Sequence, residues 1–158
     1  MKKIVFILMT LSFLFCSVHA YAVDINLMNI RRKIFNEAEE IKALLSPKSK
    51  DTILITSAWN SCLMTAVQLD GYFNMVGIFN TVKQKDWTRE ALDYLLNWLD
   101  QLKKINELNI KNIDASPPKA EAGVKNRLSK IRENFIELGE ELDREISSLK
   151  KVRQTVKK

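Results

Sequence analysis

Residues 124–156 read VKNRLSKIRENFIELGEELDREISSLKKVRQTV. Val124, Leu128, Ile131, Phe135, Leu138, Leu142, Ile146, Leu149 and Val156 recur in a three/four alternation, with one polar position near the end. That spacing draws an apolar stripe along one side of an α-helix, with charged residues between. Ser116 is placed to cap this helix, with Pro117 in its first turn. From there to the C-terminus its forty or so residues would span roughly 60 Å. That exceeds what shorter neighbours can cover, so its end is expected to project or to pair with another chain.

Upstream, the same period appears three more times. Asp24 is a candidate N-cap for a helix carrying Leu27, Ile30, Ile34, Ala38, Ile41 and Leu45, which ends at the turn-forming Ser46-Pro47-Lys48-Ser49-Lys50. Asp51 or Thr52 can cap a second helix running to about Lys85, with Asp70-Gly71 as a potential kink. Asp86 is placed to cap a third, from Trp87 to about Ile113, before the break at Asp114-Ala115-Ser116-Pro117-Pro118. The expected fold is all-α, a four-helix antiparallel bundle with a long C-terminal helix. With only 4 Gly and 3 Pro in 158 residues, nothing in the composition favours a loop-rich or disordered chain.

The first 22 residues differ from the rest. Lys2-Lys3 precede a nearly unbroken apolar run from Ile4 to Phe15, and Ala20-Tyr21-Ala22 offers small residues at the positions a signal peptidase reads. A cleaved secretory signal over residues 1–22 is expected, with one helical domain over 23–158 located in the periplasm or secreted. Phe15 before Cys16 does not suit lipid attachment.

Cleavage after Ala22 would take two basic residues and no acidic ones from a chain of 25 Lys+Arg and 19 Asp+Glu, leaving it basic. It would also remove Cys16 and His19, the latter being the sole histidine. Without histidine there is no Ser-His-Asp triad, no Cys-His pair and no His-bearing metal site. No P-loop, GxGxxG, HExxH or EF-hand pattern occurs either. The expectation is therefore a chain without catalytic residues, metal or cofactor.

The second helix is unusual. Between Asp51 and Lys83 its one charged residue is Asp70, and apolar side chains point in every direction: Ile55, Ala58, Leu69 and Phe73 to one side, Met64, Val67, Met75 and Ile78 to the other. A helix apolar all round belongs in a core, against a second subunit or beside an apolar ligand. Asp70 needs a cation from a neighbouring helix or else serves a ligand. Cys62, amid Trp59, Leu63 and Ala66, reads as a small buried hydrophobe.

In the third helix Trp87, Tyr94 and Trp98 share a stripe beside Leu92, Leu95, Leu96, Leu99 and Leu102, which could pack internally or fill a partner's pocket. The C-terminal Lys150, Lys151, Arg153, Lys157 and Lys158 complement the helix dipole and could also meet an anionic membrane or cell-wall surface. No aromatic residues interleave them, which disfavours nucleic acid. Glu37, Glu39 and Glu40, and Glu133, Glu137, Glu140 and Glu141, read as solvated faces.

The expected function is a non-enzymatic one: protein–protein interaction, or a structural role, in the bacterial periplasm, with a protein partner or self-association. The interacting surfaces expected are the aromatic arc of helix three and the end of helix four. The candidate contact residues are Trp87, Tyr94, Trp98, Met64, Met75 and Asp70. A carrier of an apolar small molecule or lipid, held along helix two, is the alternative, and a holdase-type chaperone is a third reading.

Overall fold

The computed structural model describes residues 24–81, 88–116 and 119–156. Four helices make it up: α1 (Ile25–Lys42), α2 (Thr52–Thr81), α3 (Arg89–Asp114) and α4 (Ala122–Thr155). Each packs on the next in sequence, and α4 returns beside α1 to close the ring. Cross-helix pairs give the directions. Arg31 meets Asp70 and Lys42 meets Trp59, so α1 and α2 are antiparallel; Lys103 meets Asp143 and Arg132 meets Asp114, so α3 and α4 are too. Lys33 meets Glu137 and Arg127 meets Glu40 between α1 and α4. The fold is the expected all-α antiparallel four-helix bundle with a long C-terminal helix.

The stripes read from sequence form the core. Leu27, Ile30, Ile34, Ala38 and Ile41 of α1 are buried, as are Val124, Leu128, Ile131, Phe135, Leu138, Leu142, Ile146 and Leu149 of α4. Burying each large aliphatic side chain favours folding by about 1.5–3 kcal/mol before the entropy of ordering it is subtracted. α2 runs unbroken through Asp70-Gly71, and the Trp98 ring of α3 fills the space where a Gly71 side chain would be.

Helix starts differ from expectation. Asp24 does cap α1, its carboxylate accepting the Asn26 N–H at 2.7 Å. Thr88 caps α3, its hydroxyl accepting the Ala91 N–H at 3.2 Å, and Asp86, expected in that role, lies outside the described residues. α4 begins at Ala122 and not near Ser116. There Asp51, one of the two candidates to cap α2, accepts the Glu121 N–H at 2.7 Å and so ties the α1–α2 connection to the start of α4.

The later start shortens α4 to 34 residues, and its C-terminal end does not project. Leu149 is fully buried, Val152 and Val156 pack against the core, and Arg153 reaches across to Asp93 near the start of α3. Its neighbour α3, of 26 residues, is long enough to accompany it over most of its length.

Candidate interaction surface

α2 carries two unlike faces. Inward lie Ile55, Ala58, Cys62, Thr65, Ala66, Leu69, Tyr72 and Val76. Outward, at four- and three-residue spacing, lie Ile53, Ser57, Asn60, Met64, Val67, Asn74, Ile78 and Thr81, all exposed, with half-buried Gly71 between Val67 and Asn74. Val67 is 61% exposed and Met64 56%. This outward stripe carries no charged residue over the whole length of the helix. No helix among the described residues is long and apolar enough to cross a membrane.

The flanks extend it. On α1, Met28 and Phe35 are exposed at three- and four-residue spacing either side of Arg31. Arg31 donates two hydrogen bonds to the Asp70 carboxylate, at 2.9 and 2.6 Å, and its guanidinium lies 5.1 Å from the Phe35 ring centre. The one charge of α2 is thus neutralised at the edge of the stripe, and Asp70 is not a free carboxylate awaiting a ligand. Lys42 covers Trp59 in the same way at 5.0 Å.

On α3, Tyr94 is exposed and stands 6.0 Å from Trp98, ring to ring. Trp98 is half-buried, its indole N–H donating to the Gln68 carbonyl at 3.2 Å. Leu92, Leu95, Leu96, Leu99 and Leu102 are all buried, so most of the arc expected to meet a partner is spent on the bundle's own core. Trp87 lies outside the described residues. Met75 packs partly against the core, while Met64 points out.

Cys62 is fully buried; burial, and secondarily the charge of Glu37, push its thiol up to about 12. Lys150 and Lys151 are exposed, Lys157 and Lys158 lie outside the described residues, and Arg153 is held by Asp93, so it is not free to meet an anionic surface. The hydrogen bond from Arg153 holds the Asp93 carboxyl below the ordinary aspartate range, and Arg132 does the same for Asp114.

The carboxylates of α4 are less uniformly solvated than expected. Glu133 and Glu140 are exposed and Glu137 binds Lys33 of α1 at 2.8 Å, but Glu141 and Glu145 are buried. The helical period puts them beside Leu138, Leu142 and Leu149, at the edge of the apolar stripe. The Tyr72 hydroxyl of α2 donates to Glu145, and Arg144 donates to Glu141. Next to them, Asn26, Asn29, Arg32, Lys33, Glu137, Glu141 and Arg144 line a polar cleft of about 510 Å³ between α1 and α4. Its charged groups of both signs largely answer one another, so it offers no single ligand chemistry. Among the described residues no cluster of His, Cys, Asp and Glu could hold a metal ion.

The chain matches no protein-family model, no curated protein and no solved structure. Sequence reasoning identified Met64, Val67 and Ile78 but missed Ile53, Met28 and Phe35 as their surface companions. Charge alone gave no signal for the side, since every stripe of α2 is uncharged apart from Asp70.

Proposed function

We propose that this chain is an exported, non-enzymatic helical-bundle protein that acts by protein–protein interaction, or as a structural module, in the bacterial periplasm, and that the outer face of α2 is its contact surface. The observation that carries this reading is the uncharged stripe at Ile53, Met64, Val67 and Ile78, flanked by Met28 and Phe35. A soluble helix normally turns charged residues to water, and an exposed stripe without charge along a 30-residue helix marks a place where another surface sits. Outward-pointing Met64 and Val67 suit a protein face better than an enclosed ligand.

The test is site-specific photocrosslinking in the source cells. A photoreactive residue at Met64 should give discrete protein adducts, whereas one at Lys130, exposed on α4, should give few. Equal yields at the two positions, or none at either, would sink the proposal. Cell fractionation that left the protein in the cytoplasm would sink its exported part.

A further inference from the structure

We propose that the occupant of the α2 face is a second copy of this chain, docked with the two α2 helices antiparallel about a two-fold axis between Met64 and Val67. This rests on reading that face as the contact surface, and it is the order of residues along it that selects the partner. Read outward position by outward position from Ile53 to Ile78, the stripe is apolar, polar, polar, apolar, apolar, small, polar, apolar. Reversed, it repeats that order except at the third and sixth positions, where polar Asn60 and small Gly71 exchange. Antiparallel docking therefore sets Ile53 against Ile78 of the second copy, Met64 against Val67, Ser57 against Asn74, and Asn60 against Gly71, whose side-chain place the Trp98 ring fills. Apolar groups meet apolar ones at Ile53–Ile78 and Met64–Val67 and polar meets polar at Ser57–Asn74, so three of the four layers correspond, which an unrelated partner would not require.

Three further properties fit self-pairing. The four/three spacing is that of helices packing along a shared seam. A two-fold interface places each residue near copies of its own neighbours, so any net charge on the stripe would face like charge; the stripe has none. The area is also adequate: a 30-residue helix is roughly 45 Å long, and with its flanks on α1 and α3 the face is about 20 Å wide, or about 900 Å², against the ~800 Å² per partner of a stable complex.

Light scattering during size-exclusion chromatography of the purified full chain should give, at tens of micromolar, twice the mass found under denaturing conditions. Val67→Glu, a change at an exposed position, should keep the helical circular dichroism and weaken association about tenfold or more. Register is read by oxidative crosslinking. A mixture of Ser57→Cys and Asn74→Cys chains should form a disulfide-linked pair, and neither variant should do so alone.

A dimer indifferent to Val67→Glu overturns the proposal, as does self-linking of Ser57→Cys, which marks parallel docking. A monomer at these concentrations also overturns it. If Met64 then still gives adducts of another mass in cells, the contact surface stands and only the second copy is excluded; if it gives none, both readings fall.

Discussion

α2 and α4 lie diagonally opposite in the bundle and are its two longest helices, yet they solve the problem of facing water differently. α4 buries one stripe and lays ion pairs along its sides: Arg127 with Glu37 and Glu40, Glu137 with Lys33, Asp143 with Lys103, Arg132 with Asp114. Exposed pairs of this kind contribute little energy individually, but they define which side is out. α2 buries an equally continuous stripe and leaves its outward one uncharged. The contrast separates two meanings of hydrophobicity in one chain: on α4 it reports the core, and on α2 it reports the core and a second surface together.

That contrast can be broken or sharpened by measurement. Phe135→Ala, on the fully buried stripe of α4, should lower the unfolding free energy by about 3–5 kcal/mol in urea titrations, while Val67→Ser on α2 should change the monomer's stability by no more than about 0.5 kcal/mol. A large loss at Val67 in a monomeric sample would mean its side chain is part of the core.

Tyr72→Phe removes the hydrogen bond that links α2 to the buried Glu145 of α4, and should cost about 1.5–3 kcal/mol by thermal unfolding. An unchanged midpoint would show that the two diagonal helices are joined only by apolar packing.

Two glycines of α2 should respond with opposite signs. A methyl group at Gly71 would come 2.7 Å from the Trp98 ring, which its bond to Gln68 holds in place, so Gly71→Ala should destabilise by about 1–2 kcal/mol. A methyl group at Gly77 meets nothing within 4 Å, and Gly77→Ala should stabilise by up to about 1 kcal/mol through helix propensity. Equal effects would remove the packing argument at Gly71.

The smallest effect concerns acid. Asp93 and Asp114 have carboxyls lowered by Arg153 and Arg132, so the unfolded chain binds their protons more readily than the folded one. Their contribution is therefore fully present above the ordinary aspartate value of about 3.9 and is lost as pH falls through the lowered values. Asp93→Asn combined with Asp114→Asn should lower the neutral plateau slightly and leave the acid end little changed, flattening the acid limb between them. A steeper acid limb in the double variant would contradict the pairing.

The bundle was legible wherever polar residues alternate with apolar ones. The α1 and α4 stripes match the buried residues almost one for one, because water and core make opposite demands on successive positions. Helix ends were less legible, since Asp86, Asp51 and Ser116 all have capping side chains and only tertiary geometry decides which is used. Asp51 shows this: its carboxylate serves α4, seventy residues on in the chain, through Glu121. The surface of α2 was half legible. Its lack of charge was visible, but with apolar residues all round no period tells inside from outside, and Met64 was as eligible for the core as Leu69. Buried Glu141 and Glu145 were missed for the opposite reason, since a carboxylate at the stripe's edge looks solvated until a Tyr72 or Arg144 is brought to it.

Cys62 has a consequence for the chemistry the folded chain tolerates. With its thiol pushed up to about 12, only on the order of one molecule in 10⁵ carries the thiolate at pH 7, and that sulfur is enclosed. Oxidants and disulfide exchange both act on the thiolate, so this cysteine is inert on two counts while the bundle is closed. Its rate of modification consequently becomes a built-in gauge of how often the α1–α2 half of the molecule opens, readable without adding any probe to the protein.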